Sequence, residues 1–185
     1  MTFSSDAEVS VRFNARLAGI FYLLNILTAV SALFAHGTLA SAVLLTSTAC
    51  YLAVTLLFYQ LFRPVDRTIS GWAAVCSLAG CAITTLDSFH LVAAPVSPLV
   101  FFGLYCLLIG YLILRSTFLP RFLGLLMVLG GLGWLTFASP SLSSRLSPYN
   151  MAAGILGEGT LMLWLLAAGV NARQWLEQAT ISSAL

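Results

Sequence analysis

The side chains best suited to chemistry are a few ionisable groups that stand inside otherwise apolar stretches. Thr84, Asp87 and His90 follow one another at intervals of three, so a helix would place them on one face. Glu158 stands alone in another apolar stretch. A carboxyl group and an imidazole can act as general acid and base, and both can bind metal ions. Asp87 and His90 supply only two ligands at this spacing, however, so the sequence predicts no metal site.

The overall composition decides what kind of protein surrounds these groups. Hydrophobic residues make up 60% of the 185 residues and charged residues only 8%, against about a quarter in an average soluble domain. This composition excludes a soluble enzyme, a disordered segment and a coiled coil. The net charge of +2 is too small for a nucleic-acid binder. We therefore predict an integral membrane protein.

Apolar stretches recur along the whole chain, with short polar connections between them. Each has about the 20 residues that a helix needs to cross a bilayer. The pattern predicts an all-α, polytopic transmembrane helical bundle that forms one domain over residues 1–185. Residues 139–148 are its longest connection. The six predicted spans are 17–35, 39–62, 69–93, 97–114, 120–138 and 149–171.

The arginines predict the orientation of this bundle. With six spans, seven arginines fall on the side of the N-terminus, and Arg145 alone falls on the opposite side. Positively charged residues are enriched in cytoplasmic loops, so we expect both termini to be cytoplasmic. The seven are Arg12, Arg16, Arg63, Arg67, Arg115, Arg121 and Arg173.

Known motifs add little to the chemistry. The chain has no nucleophile elbow, zinc-protease motif, phosphate-binding loop or dinucleotide fingerprint. The four cysteines lie in apolar runs at spacings that fit no zinc or redox pattern, so we interpret them as apolar filler. We predict no cofactor and no catalytic residue.

The polar residues inside the predicted spans lie at similar depths. From the helical rise, Glu158 lies about 14 Å and Asp87 about 9 Å from the outer ends of their helices. Asn25 lies near 15 Å and Tyr105 near 12 Å on the same estimate. Because charged residues are costly inside a bilayer, we expect a polar layer sheltered within the outer half of the bundle. The candidate ligand-binding residues are Asn25, Thr84, Asp87, His90, Tyr105 and Glu158.

Three interpretations of this layer stay open. In the structural one, Glu158 is protonated or paired, bonds Asn25 or Tyr105, and fixes the register of the helices. In the second, the layer is a pocket that binds or carries a small amphipathic molecule, because apolar walls with a few convergent polar groups are typical of such pockets. The third is an intramembrane enzyme that uses Asp87, His90 or Glu158 as acid and base. Of the three interpretations, the enzyme is the least favoured by the sequence.

Several segments resemble a bacterial membrane-protein family, the domain of unknown function 4386. The most specific is the stretch from Gly110 to Gly124, which lies within FGLYCLLIGYLILRSTFLPRFLGLLMVLGGLG at 102–133. The others are RLAGIFYL at 16–23, RPV at 63–65, LGEG at 156–159, LWLL at 163–166 and GV at 169–170. The resemblance implies a multi-helix membrane protein with both ends inside, and it places Glu158 in a recurring Gly-Glu pair. It implies no activity.

The sequence thus predicts a protein of the bacterial cytoplasmic (inner) membrane. We expect membrane lipid and a small-molecule ligand as partners, and no nucleic acid. A homo-oligomer and a role as structural or assembly subunit of a membrane complex stay open. The identity of the ligand, the protonation of Asp87 and Glu158, and the choice between binding, transport and catalysis are not determined by the sequence.

Overall fold

Uninterrupted apolar sequence folds into long helices, because only a helix satisfies the backbone hydrogen bonds of a single segment in lipid. A computed structural model describes residues 5–32, 34–89, 91 and 96–183. Its helices are α1 (Ser5–Ala32), α2 (Thr38–Phe62), α3 (Arg67–Ser88), α4 (Pro98–Arg115), α5 (Arg121–Leu135), α6 (Pro140–Leu146), α7 (Tyr149–Ala167) and α8 (Ala172–Ser183). A short 3-10 helix, Thr136–Ala138, extends α5.

Six of these helices, α1 to α5 and α7, are long and apolar enough to cross a membrane, α5 together with its 3-10 extension to Ala138. The described residues contain no β-strand. The prediction of an all-α bundle with six transmembrane spans is therefore confirmed. All six carry large apolar side chains that the protein leaves exposed, as expected of a surface that faces lipid. Examples, one from each helix, are Ile20, Leu56, Val75, Leu104, Leu125 and Leu163.

The six long helices form a closed ring. Each of α1 to α4 packs against the next helix along the chain, α5 packs against α7, and α7 closes the ring against α1. The buried side chains converge on the centre of this ring and include Tyr22, Phe58, Tyr105, Ile109, Met127 and Leu161. Since successive helices alternate in direction, the seven arginines of the N-terminal side lie at one end of the ring and Arg145 at the other.

Three parts of the chain differ from the sequence expectation. Helix α1 begins at Ser5, twelve residues before the first predicted span, and its stripe of buried residues starts at Val11. Helix α6 lies inside the predicted connection 139–148. Helix α8 follows the last predicted span and is held at the arginine-rich end, where the indole N–H of Trp175 donates to the Leu61 carbonyl over 2.7 Å.

Candidate functional site

Glu158 lies at the midpoint of α7 and connects four helices of the ring. Its side chain is buried. The Tyr22 hydroxyl of α1 donates to Oε2 over 2.7 Å. The Trp134 indole of α5 and the Cys106 thiol of α4 both donate to Oε1, over 2.6 Å and 3.5 Å. The carboxyl group therefore joins α1, α4 and α5 to α7 at the centre of the bundle.

Glycines allow the helices to approach closely enough for these bonds. A Cβ atom on Gly157 would lie 2.5 Å from the Leu126 carbonyl oxygen of α5. A Cβ atom on Gly154 would meet the Trp134 ring, 2.8 Å from its Nε1. The indole therefore crosses α7 at Gly154, one turn before Glu158, and its N–H reaches the carboxyl group.

Aromatic rings form a wall beside Glu158. Tyr51 of α2 lies at the middle of this wall, with its ring centroid 5.9 Å from that of Tyr22 and 5.7 Å from that of Tyr105. The Phe102 ring lies closer to Tyr51, at 4.8 Å, and Phe58 contacts Tyr22 at 5.9 Å. All of these contacts are edge-to-face, a geometry favoured by the ring quadrupoles.

Two hydroxyl groups of this wall stand out because they are buried and have no partner. The hydroxyl oxygens of Tyr51 and Tyr105 make no hydrogen bond to any described residue. The two residues are 5% and 1% exposed, so bulk solvent does not satisfy them. More than about nine-tenths of buried polar groups in native proteins have a partner. The pair therefore leaves unused hydrogen-bonding capacity next to the Glu158 cluster.

Among the described residues, no positive side chain pairs with Glu158. The ion pairs within the described ranges are Arg12–Glu8 and Arg173–Glu177, at 3.3 Å and 3.4 Å. Both are exposed pairs at the arginine-rich end of the ring. The groups that contact the Glu158 carboxyl oxygens are instead neutral donors.

A second polar layer lies closer to the α6 end of the ring. The Ser47 hydroxyl of α2 donates to Asn25 Oδ1 over 2.7 Å and so links α2 to α1. The Asn150 amide of α7 donates to the Thr136 hydroxyl over 3.0 Å and to the Ser143 carbonyl over 3.2 Å. These bonds join the helix ends between the Glu158 cluster and that face of the bundle.

The remaining candidate residues are distributed differently. Tyr105 lies in the aromatic wall, whereas the Thr84 hydroxyl donates to the Gly80 carbonyl of its own helix over 2.9 Å. Asp87 is exposed near the end of α3, on a helix that packs against α2 and α4. His90 lies outside the described residues. The shared ligand-binding role of the six candidates stays a prediction.

Sequence reasoning missed most of the residues that contact Glu158. Tyr22 lies three residues before Asn25 and thus on the same helical face, which is a usable signal. Nothing in the sequence distinguishes Trp134, and the four cysteines are predicted to be apolar filler, yet Trp134 and Cys106 both donate to the carboxyl group. Within the described part of the chain, no three of the residues His, Cys, Asp and Glu lie close enough to hold a metal ion.

Comparison with other proteins agrees with the architecture. Residues 95–169, from just before α4 to the end of α7, match the family described as "Domain of unknown function (DUF4386)". An "Uncharacterized protein" of Archaeoglobus fulgidus is similar to the chain, with 31% identity over 125 residues. The match covers 63% of this chain and 75% of the archaeal protein. No solved structure matches the chain. The family match includes Glu158, Trp134 and Cys106 but not Tyr22 or Tyr51.

Proposed function

The chain belongs to the DUF4386 family, and we propose that it binds or carries a small amphipathic molecule at the Glu158 cluster. The molecule would bear a positively charged amine and would reach the cluster from the outer half of the bundle. The proposal depends on one observation, the two buried hydroxyl groups of Tyr51 and Tyr105 that lack a partner beside a buried acid.

The chemistry of the cluster favours an amine. An ammonium group donates up to three hydrogen bonds, and it would find acceptors in the Glu158 carboxylate and in the hydroxyl oxygens of Tyr51 and Tyr105. The aromatic rings add attraction, because a cation near the face of a tyrosine or phenylalanine ring is stabilised by the ring quadrupole. An anionic ligand would meet a carboxylate and no positive side chain. The apolar lining suits the remainder of an amphipathic molecule.

The arginine distribution supports the expected orientation. With seven arginines at one end of the ring and Arg145 at the other, the rule for positive charges in cytoplasmic loops favours termini in the cytoplasm. The Asn25–Ser47 layer then lies on the outer side of Glu158. We propose the bacterial inner membrane as the location, on the same argument and the family resemblance.

A structural role for Glu158 is the second candidate, and its three hydrogen bonds favour it. An acid that accepts bonds from α1, α4 and α5 can fix the rotation and register of four helices without any ligand. In that case the protein would act as a structural or assembly subunit of a membrane complex. The two candidates differ in the role of the Tyr51 and Tyr105 hydroxyl groups. They would bind the ligand in the first candidate. They would have no role in the second, because neither bonds to a described residue.

Ligand-induced stabilisation of the purified full-length protein distinguishes the two candidates. The probes are benzyltrimethylammonium and phenethylammonium, with benzyl alcohol as neutral control and benzoate as anionic control. Unfolding is followed by the reaction of buried cysteines with a maleimide dye, since Cys50, Cys81 and Cys106 are free and buried. We expect the cations to raise the unfolding temperature, because a ligand that binds only the folded state stabilises it. Benzoate should have no effect.

Variants assign this stabilisation to the cluster. Glu158→Gln should abolish it. Tyr105→Phe should weaken phenethylammonium binding by about tenfold, the usual effect of losing one hydrogen bond to a charged group. It should leave the binding of benzyltrimethylammonium, which has no N–H to donate, and the stability of the unliganded protein as before. Tyr22→Phe is the matched comparison, because its hydroxyl has a partner; it should lower stability by about 1–2 kcal/mol. If no cation stabilises the wild type, the structural role is the better account.

A further inference from the structure

An open cavity lies at the arginine-rich end of the ring, and none of the residues of the Glu158 cluster line it. It has a volume of about 620 Å³ and lies between the first turns of α1, the α4–α5 connection and the junction of α7 with α8. This volume is within the range of known small-molecule sites, about 300–1,000 Å³. The polar residues that line it are Arg12, Arg16, Thr117, Asn171 and Gln174, and the aromatic ones are Phe118 and Trp164.

The charge of this cavity is positive. Arg12 and Arg16 are one helical turn apart on α1, and no acidic residue is among those that line the cavity. Arg12 pairs with Glu8 over 3.3 Å, but its side chain is 61% exposed, and such exposed pairs contribute little stability. Arg16 forms no ion pair within the described ranges. Two guanidinium groups are therefore available to an incoming anion.

The rest of the cavity suits a phosphate group attached to an apolar body. Asn171 and Gln174 add side-chain amide groups to the lining, whereas the Thr117 hydroxyl already donates to Gln178 Oε1 over 3.2 Å. Trp164 lies on the membrane side, where its ring contacts Phe122 at a centroid distance of 5.6 Å. Tryptophan favours the boundary between lipid and water, because its ring is apolar and its N–H is polar. Guanidinium groups bind phosphate through two parallel hydrogen bonds.

We propose that this cavity binds the phosphate of an anionic molecule, with Arg12 and Arg16 as the principal contacts. The phosphate can belong to the headgroup of an anionic lipid or to free inorganic phosphate, and the experiment separates the two. The inference does not depend on the proposed function at Glu158, since no residue is shared between the two sites.

The test is native mass spectrometry of the full-length protein in detergent. Phosphatidylglycerol is titrated against phosphatidylcholine with the same acyl chains, and a third series adds inorganic phosphate. We expect the wild type to retain phosphatidylglycerol preferentially. Each arginine should contribute about fivefold to this preference, so the doubly substituted Arg12→Gln, Arg16→Gln protein should lose it. Arg173→Gln is the matched control, because Arg173 lies at the same end of the ring but does not line the cavity.

Both arginines are exposed, so their substitution should not disturb folding. The cysteine-reactivity assay checks that the double variant is folded, and a loss of lipid preference can then be assigned to the cavity. If inorganic phosphate alone stabilises the wild type and displaces the lipid, while the double variant ignores it, the site exists and free phosphate is a ligand. Equal retention of both lipids by the wild type, together with no effect of inorganic phosphate on it, would overturn the proposal. So would a preference that survives in the double variant, or one that Arg173→Gln reduces as strongly.

Discussion

The two sides of the helix ring are held together in different ways. Between α4 and α5, backbone meets backbone at two places. A Cβ atom on Gly103 would lie 2.9 Å from the Gly131 carbonyl oxygen, and one on Gly131 would lie 2.8 Å from the Gly103 carbonyl oxygen. Gly110 and Gly124 form a second reciprocal pair of the same kind. Gly110 lies seven residues after Gly103 on α4, and Gly124 lies seven residues before Gly131 on α5. Helix α7 packs on α5 in a similar way, through Gly157.

The side formed by α1, α2 and α3 is joined by side chains. Tyr22 contacts Tyr51 and Phe58 through ring edges, and the Ser47 hydroxyl bonds Asn25. Hydroxyl groups of Thr55 and Ser77 bond to each other between α2 and α3. Side chains rotate and backbones do not, so this side can adjust its spacing at lower cost than the glycine side.

Glu158 belongs to both sides. Two of its donors, Trp134 and Cys106, come from the glycine-packed helices, and the third, Tyr22, comes from the other side. Apolar surface gives no net attraction between helices in lipid, so association depends on close packing and on polar contacts. The comparison indicates a platform, α4–α5–α7, whose helices meet backbone to backbone, whereas α1, α2 and α3 are joined to one another by side chains.

The largest effect on stability should follow from forcing apart the helices that pack through glycines, α4, α5 and α7. Gly131→Ala places a methyl group against the Gly103 carbonyl, and we expect it to lower the free energy of unfolding by about 1–3 kcal/mol. Titration with sodium dodecyl sulfate in mixed micelles measures this change. Gly159→Ala is the control, since a Cβ atom there meets nothing within 4 Å. If both variants behave alike, the platform is not held by backbone contact.

A smaller effect should follow from moving the indole that reaches Glu158. Gly154→Ala puts a methyl group under the Trp134 ring, and the loss of the Trp134–Glu158 bond should cost about 1–2 kcal/mol. The same substitution in a Trp134→Phe background should cost clearly less, because the bond is already absent there. Simple additivity of the two changes would contradict this placement of the indole.

The smallest of these effects belongs to the side-chain face. Ser47→Ala removes the bond to Asn25, and we expect a loss of about 1 kcal/mol, typical of hydrogen bonds between membrane helices. It should also open the Asn25–Ser47 layer, which would speed the reaction of the buried Cys50 with a maleimide dye under native conditions. Ser31→Ala is the control, because Ser31 bonds only the Leu27 carbonyl of its own helix. Equal rates of Cys50 labelling in the two variants would show that Ser47 does not control the access of the dye to Cys50.

The number and nature of the spans could be predicted because hydropathy is a property of local sequence. Glu158 was identifiable for the same reason, since an acid in an apolar stretch is conspicuous without any neighbours. Its partners were identifiable only in part, because Tyr22 shares a helical face with Asn25 whereas nothing local distinguishes Trp134 or Cys106. Whether Tyr22 or Asn25 faces the acid depends on the rotation of α1 about its axis, and a step of one residue turns a helix by about 100°.

The sequence by itself therefore determined the membrane class, the six long helices and the presence of one isolated buried acid. Only the tertiary structure decided that α7 closes a ring against α1, that Gly154 lets the Trp134 indole reach Glu158, and that the Tyr51 and Tyr105 hydroxyl groups find no partner among the described residues. The physical reason is that helix formation in lipid satisfies the backbone locally, whereas the order, rotation and spacing of the helices depend on contacts between residues distant in the chain.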